Sequence, residues 1–142
     1  MKSNLPKVVL GGTFEALHRG HRALLKKAFS LGQVTIGLTS DKMARRLKKR
    51  KVKSFRERKR RLEDFAGKEF SARARILKIE NKFGPTLKED FRYIVVSPET
   101  YPTARVINSE RKKKGRKPIK IVRIRFVRGK EGKPLSSSRM RR

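Results

Sequence analysis

Residues 8–21 read Val8-Val9-Leu10-Gly11-Gly12-Thr13-Phe14-Glu15-Ala16-Leu17-His18-Arg19-Gly20-His21. The first three are typical of a buried strand, and apolar residues at helical spacing follow from residue 23 to residue 29. Glycines between a strand and a helix let the backbone approach a ligand closely, because they carry no Cβ. The first N–H groups of the helix would point at the same place, where they suit phosphate. The pattern therefore predicts a phosphate pocket after the first strand.

The two histidines of this stretch, His18 and His21, are the only ones in the chain. Their spacing can place both rings on one side of the start of the helix. An imidazole N–H directed at a nonbridging phosphate oxygen would stabilise a phosphoryl-transfer transition state. The helix N-terminus and nearby cations are expected to keep both rings neutral at pH 7. The alternative for His18 is a histidine packed in the core.

Length and composition predict one domain over residues 1–142, without cysteine chemistry. The chain has 142 residues and no cysteine, so a disulfide framework and a thiolate metal site are excluded. No apolar run approaches the ~20 residues that a membrane span requires. The first six residues lack the apolar core of a signal peptide. These features predict a cytoplasmic protein without membrane contact.

The formal net charge of +30 has two interpretations. A protein that binds RNA or DNA would carry such a charge, because it attracts polyanions. An enzyme with anionic substrates and a solvated basic surface would carry it as well. Residues 45–61 concentrate this charge, and they predict either a mobile loop or a helix with one solvated face. Nonspecific adhesion to nucleic acids is expected in both cases.

Apolar runs at residues 8–10, 34–38, 76–79, 93–96 and 119–127 alternate with helical patterns. This alternation predicts an α/β fold with a parallel sheet that is covered on both faces. If the strand order is 3-2-1-4-5, ligands bind beyond the carboxyl ends of strands one and four. The loops at that edge are residues 11–21 and 97–101.

Helix boundaries follow from capping signals. Ser54 and Glu57 fit a capping box, which predicts a helix over residues 55–66 that ends near Gly67. Tyr101 and Pro102 begin another helix, with three lysines before Gly115 at its negative end. The residues of that helix predicted to face inward are Ala104, Val106 and Ile107. A last helix is predicted to begin at the serine triplet 136–138.

Residues 11–21 resemble the GGTFD-x-LH-x-GH signature of nucleotidyltransferases with a His-x-Gly-His motif. Among them the chain is most similar to phosphopantetheine adenylyltransferases of the archaeal type. The resemblance covers residues 7–141, and Glu15 replaces the usual aspartate. It implies a Rossmann-like, doubly wound sheet of five parallel strands in a single domain. The implied reaction transfers adenylyl from ATP to 4′-phosphopantetheine, giving dephospho-coenzyme A and pyrophosphate.

The resemblance also implies roles for individual residues. It implies that His18, His21 and Lys42 act at the transferred phosphoryl group. It implies an acceptor site formed by Thr13, Asp41 and Lys42. The residues it implies for nucleotide binding are Gly11, Gly12, Thr13, Phe14, His21, Ser97, Glu99, Thr100, Ser136, Ser137, Ser138 and Arg139. The three serine hydroxyls at a helix N-terminus would form a donor nest for phosphates.

The expected cofactor is Mg²⁺ carried with ATP, since it keeps most of its waters and takes phosphate oxygens. Two histidines without cysteine disfavour a protein-held zinc ion. Neither a Walker P-loop nor a G-x-G-x-x-G fingerprint occurs. The alternatives left open are a related nucleotidyltransferase acting on a nicotinamide nucleotide, a flavin or glycerol phosphate, and a basic RNA-binding module. The sequence leaves the oligomeric state undetermined.

Overall fold

The computed structural model describes residues 5–125, which form five strands and four helices. In chain order the elements are β1 (Lys7–Gly12), α1 (Arg19–Leu31), β2 (Gln33–Thr39), α2 (Asp41–Lys48), α3 (Phe55–Phe70), β3 (Arg75–Ile79), β4 (Tyr93–Val96), α4 (Tyr101–Lys113) and β5 (Lys120–Arg123). The first four predicted strands are confirmed within one or two residues at each end.

The strands form one parallel sheet in the order β3-β2-β1-β4-β5. The predicted fold class is therefore confirmed, and the observed strand order is the one on which the expected position of the ligand site was conditional. The chain leaves β1 toward β2 on one side and returns to β4 on the other. This reversal opens a crevice beyond the carboxyl ends of β1 and β4, because their connecting segments diverge there.

The core lies on both faces of the sheet, since successive side chains of a strand point to opposite faces. Val8 and Leu10 of β1 pack with α1 and α3, while Val9 packs with α4 on the other face. β4 divides in the same way, with Val95 on the first face and Ile94 on the second. Each strand beside the crevice is thus held from above and below, which gives the loops beyond them a rigid base.

Helix α3 continues past Gly67, so the end predicted for it is wrong. It runs to Phe70 and ends at Ser71, whose φ of 48° is left-handed and whose N–H donates to the carbonyl of Gly67. The Phe70 ring stacks on Phe29 of α1 at 4.9 Å between centroids. Burial of this ring offsets the low helix propensity of glycine, which is about 1 kcal/mol.

Two further details differ from the sequence-based expectations. Val106 of α4 is 38% exposed, whereas Ala104 and Ile107, three residues apart, both face the core. β5 ends at Arg123, and the last two residues of the predicted run lie outside the described part of the chain. The predicted helix that begins at residue 136 lies outside it as well.

The basic segment of residues 45–61 is ordered as two helices joined by residues 49–54. The predicted capping box begins the second of them, where Ser54 Oγ accepts the N–H of Glu57 at 3.1 Å. The helical interpretation is therefore confirmed for residues 45–48 and 55–61, whereas residues 49–54 form a non-helical connection. Within residues 5–125, the helices are too short or too polar to cross a bilayer.

Candidate active site

The loop after β1 depends on close packing between a glycine and an aromatic ring. Phe14 has a φ of 47°, in the left-handed region, and its ring is buried in the core. A Cβ added to Gly12 would lie 2.9 Å from the Phe14 ring. Gly12 is therefore required for this ring to lie under the loop. The predicted phosphate loop, Gly11 to Phe14, is thus anchored to the core by the Phe14 ring.

His18 forms the N-cap of α1 through its side chain. Its Nδ1 accepts the N–H of Gly20 at 3.0 Å and the N–H of His21 at 3.4 Å. The expectation that these first N–H groups point unpaired at a ligand is therefore wrong for Gly20 and His21. Since Nδ1 accepts, the proton of a neutral His18 ring is on Nε2.

His21 stacks on His18, which confirms that the two rings lie on one side of the helix start. Their centroids are 3.9 Å apart and their planes differ by 17°. His21 Nδ1 donates to the carbonyl of Ala16. A neutral His21 therefore holds its proton on Nδ1 and has a lone pair on Nε2. The two imidazoles thus present opposite hydrogen-bonding character at Nε2, which the sequence analysis did not anticipate.

Both imidazoles are neutral at pH 7 in the described structure. Burial is the main cause that lowers the pKa of His18, and the nearby carboxylate of Glu99 opposes it. Burial, followed by the charge of His18, lowers the pKa of His21 to about 4. The positive charge of Lys48 acts on both rings in the same direction. The predicted charge state is confirmed, but its main cause is desolvation instead of the helix terminus.

Thr13 is connected to Thr39 and Arg58, two residues to which the sequence analysis assigned no role at the site. Its Oγ1 accepts the hydroxyl proton of Thr39, the last residue of β2, at 3.0 Å. Arg58 of α3 is fully buried, and its Nη1 donates to the carbonyl of Thr13 at 3.1 Å. The sequence contained no signal for Arg58, because it lies in a basic segment where arginines look alike.

Asp41 and Lys42 begin α2 at the same edge of the sheet, and they differ in their surroundings. Asp41 Oδ1 accepts the N–H of Phe55 at 2.7 Å and Arg58 Nη2 at 3.1 Å. Lys42 is exposed, next to Met43 of the cavity described below. The structure therefore places Asp41 in a contact between helices, whereas Lys42 is exposed to solvent and does not line the cavity.

The loop between β4 and α4 brings Ser97, Glu99 and Thr100 to the crevice. The N–H of Ser97 donates to Thr100 Oγ1 at 3.1 Å, and the N–H of Thr100 donates to the carbonyl of Ser97. Glu99 is exposed, and its carboxylate is close enough to His18 to raise the pKa of that imidazole. The two loops that the strand order predicted to be neighbours are therefore close in space.

Glu15, which replaces the aspartate of the family signature, contacts the connection between α2 and α3. Its carboxylate pairs with Arg50 at 2.6 Å and accepts the N–H of Lys53 at 3.1 Å. The longer side chain thus joins the phosphate loop to the basic segment, two parts of the chain that the sequence analysis treated separately.

A cavity of about 180 Å³ opens between the carboxyl ends of β1, β2 and β4. Gly11, Gly12, Thr13 and Thr100 line it, together with the segment 84–86, whose role the sequence did not indicate. Most of its remaining wall is apolar and was missed by the sequence analysis. These wall residues include Met43, Leu47, Ile79, Phe83, Ala104 and Ile107.

Four predicted site residues, Ser136, Ser137, Ser138 and Arg139, lie outside the described residues. Within residues 5–125, the His, Asp and Glu side chains form no group of three or more that could hold a metal ion.

The family model described as cytidylyltransferase-like matches residues 9–142. A phosphopantetheine adenylyltransferase of Methanosarcina mazei is 44% identical over 141 residues, covering 96% of this chain and 90% of the relative. One of Methanopyrus kandleri is 46% identical over 138 residues, covering 95% of this chain and 88% of the relative.

Solved structures show the same fold. A protein of unknown function from Archaeoglobus fulgidus superposes with a TM-score of 0.79 at 45% identity, covering 83% of this chain and 88% of its own. A pantoate-beta-alanine ligase from Francisella tularensis superposes with a TM-score of 0.61 at 14% identity, covering 99% of this chain and 67% of its own. The second likeness is one of fold alone.

Proposed function

The chain belongs to the cytidylyltransferase-like family, and we propose that it transfers the adenylyl group of ATP to 4′-phosphopantetheine. The products are dephospho-coenzyme A and pyrophosphate, and the reaction is a late step of coenzyme A biosynthesis. Curated relatives with the name phosphopantetheine adenylyltransferase support this at 41% to 46% identity over nearly the whole chain. We place the reaction in the cytoplasm.

The observation that carries the proposal is the apolar cavity that adjoins the phosphate loop. Phosphopantetheine is a narrow, linear molecule. Its phosphate is at one end, and a dimethyl carbon and two amides follow along the chain. The cavity of about 180 Å³ has room for part of such an arm, and Thr13 lies on its wall. An acceptor phosphate at Thr13 would then stand beside the two histidines. Asp41 and Lys42 complete the proposed acceptor site at the start of α2.

The nucleotide would occupy the other side of the crevice. We assign Gly11, Gly12, Thr13, Phe14 and His21 to its phosphates, and Ser97, Glu99 and Thr100 to its adenosine part. Ser136, Ser137, Ser138 and Arg139 are proposed to hold the β- and γ-phosphates through hydroxyl and guanidinium donors.

The chemistry is an in-line displacement at the α-phosphorus. An oxygen of the 4′-phosphate forms the new P–O bond while the bond to pyrophosphate breaks. The chain supplies position and charge stabilisation without a covalent intermediate. His18 Nε2–H is a donor for a nonbridging oxygen, and the ammonium group of Lys42 offsets the developing charge. His21 would donate from Nε2 only as the imidazolium, the form that an adjacent phosphate anion favours.

Magnesium fits this site as a companion of ATP. The ion would keep most of its waters and take its other ligands from the nucleotide, so it does not require a cage of protein carboxylates. When bound, it supplies neutralisation of charge on the triphosphate.

The test is turnover of ATP and phosphopantetheine with magnesium, followed by release of pyrophosphate. His21→Ala should lower turnover by about a hundredfold or more, because a donor at the transition state is lost. Lys26→Ala on the exposed face of the same helix is the matched control and should keep turnover within about twofold. Equal turnover of His21→Ala and the control would contradict the assignment.

The acceptor is tested in the same assay. A nicotinamide nucleotide, a flavin nucleotide and glycerol phosphate replace phosphopantetheine in parallel reactions. A higher kcat/KM with one of them than with phosphopantetheine would move the chain to another branch of the family. Absence of turnover with every acceptor, together with RNA binding, would favour the RNA-binding alternative.

A further inference from the structure

Three side chains from separate parts of the chain form a connected row behind the phosphate loop. Arg58 Nη1 donates to Thr39 Oγ1 at 3.3 Å, and Thr39 Oγ1 donates to Thr13 Oγ1 at 3.0 Å. Arg58 is fully buried, and Thr39 and Thr13 are only 2% and 9% exposed to solvent. Water is therefore largely excluded from the row, so the hydroxyl groups of Thr39 and Thr13 accept their hydrogen bonds from within it.

The direction of these hydrogen bonds follows from the chemistry of the guanidinium group. An arginine can only donate, so Thr39 Oγ1 must accept from Arg58. The single hydroxyl proton of Thr39 then goes to Thr13 Oγ1, which in turn accepts. Thr13 keeps its own hydroxyl proton for a further acceptor. A phosphate oxygen is such an acceptor, since an ionised phosphate has lone pairs and no proton to offer.

We propose that Arg58 is a positioning residue that, through Thr39, holds the Thr13 hydroxyl as a hydrogen-bond donor to the reacting phosphate. The inference rests on the proposed function and deepens it. Arg58 touches no substrate. It acts on the orientation of one hydroxyl and on the position of the loop that carries it.

Other contacts of Arg58 support this role. Its Nη1 has two N–H bonds, which also reach the carbonyls of Thr13 at 3.1 Å and Thr39 at 2.9 Å, so one of the two N–H bonds is shared between a carbonyl and Thr39 Oγ1. Its Nε donates to the carbonyl of Lys53 at 2.8 Å. Among residues 5–125, the carboxylate that it contacts is that of Asp41, whose side chain is 47% exposed. A buried cation whose counter-ion is half in solvent leaves positive potential under the phosphate loop, which favours a bound anion.

The first test uses Thr39, because its hydroxyl is the link between the other two. Thr39→Val keeps the shape and the carbonyl but removes the hydroxyl, whereas Thr39→Ser keeps the hydroxyl. We expect Thr39→Val to lower kcat/KM for ATP by about tenfold or more, because a hydrogen bond to a charged group is lost. Thr39→Ser should stay within about threefold of the original chain. Equal kcat/KM of the two variants, at equal thermal stability, would overturn the proposal.

A double-mutant cycle tests the part of Arg58 and remains decisive if Thr39→Val does not fold. Arg58→Lys should lower kcat in the original chain. In the Thr13→Val variant, which lacks the hydroxyl, adding Arg58→Lys should lower kcat by less than about threefold. Arg111→Lys is the matched control. Arg111 is also buried, at 1% exposure, and it donates to carbonyls and to an exposed aspartate away from Thr13. Its effect on kcat, whatever its size, should be the same with Thr13 and with Val at that position.

The outcome separates this inference from the proposed function. If the original chain does not turn over phosphopantetheine, the proposed function fails. The row is then tested by calorimetric binding of ATP, where Thr39→Val should bind more weakly than Thr39→Ser. Suppose instead that the original chain turns over phosphopantetheine, and that Arg58→Lys lowers kcat by the same factor with and without the Thr13 hydroxyl. Then only the inference about Arg58 fails.

Discussion

The two histidines show how the same side chain acquires different properties at positions three residues apart. His18 uses Nδ1 to accept from the start of α1, and His21 uses Nδ1 to donate to Ala16. The neutral rings therefore offer a donor and an acceptor, respectively, at Nε2. A pattern of residue types predicts that imidazoles are present at the phosphate, but it does not predict which nitrogen holds the proton.

Burial of His21 makes the stability of the protein depend on pH. Its pKa is about 4 in the folded chain, against 6.5 as the ordinary value. Between these values the unfolded chain binds a proton that the folded chain does not. The free energy of unfolding therefore has its full value above pH 6.5 and decreases as the pH falls toward 4, by up to about 3 kcal/mol from this residue.

We therefore expect His21→Gln to unfold in urea with a smaller difference in free energy between pH 7 and pH 4.5 than the original chain. Glu89 and Asp90, whose pKa values are lowered by arginine partners, contribute to acid sensitivity in both proteins equally. An unchanged pH dependence in the variant would mean that His21 is not protected from protonation.

At the level of single elements, α3 contains a glycine where the helix does not require one. Gly67 lies inside the helix, and a Cβ added there would meet nothing within 4 Å. Gly67→Ala should therefore raise the free energy of unfolding by about 0.5–1 kcal/mol, since alanine loses less backbone entropy. Urea denaturation measures this.

A second glycine is the control for that experiment. Gly84 has a φ of +49°, and a Cβ there would lie 2.8 Å from the Ile79 side chain. Gly84→Ala should destabilise the protein, because both backbone and packing oppose it. A stabilisation at Gly84, or a loss at Gly67, would disagree with the described geometry.

Two carboxylates hold the connection between α2 and α3 and the start of α3, one from the loop after β1 and one from the first residue of α2. Glu15 accepts the N–H of Lys53, and Asp41 accepts the N–H of Phe55. Glu15→Ala should speed hydrogen exchange of the Lys53 amide by about tenfold, because a charge-assisted bond is lost. The Phe55 amide is the internal control and should keep its rate. Equal exchange at Lys53 in both proteins would show that Glu15 does not hold this connection.

At the scale of the whole molecule, the excess of basic residues is compatible with an enzyme of anionic substrates. The chain has 42 lysines and arginines against 12 carboxylates. A surface of this charge attracts ATP and phosphopantetheine as well as any polyanion, and salt screens the attraction.

RNA adhesion is expected to follow this charge and not the active site. The affinity for a mixed single-stranded RNA should fall steeply as salt is raised, because bound counterions are released. His21→Ala should bind RNA as the original chain does, in a filter-binding titration at several salt concentrations. A loss of RNA affinity in this variant would instead place RNA in the phosphate crevice.

Local sequence determined much of this protein. Apolar runs and capping residues located the first four strands and the start of α3, since periodicity and caps act over a few residues. The glycine pair and the histidines located the loop between β1 and α1, which is the proposed phosphate loop, for the same reason. Thr13 and Thr39 are 26 residues apart and Thr13 and Arg58 are 45 apart, so their contacts exist only in the folded chain. Which arginine is buried, which nitrogen of each imidazole holds a proton, and what Glu15 contacts were decided by tertiary packing, because each depends on the desolvation and partners supplied by distant segments.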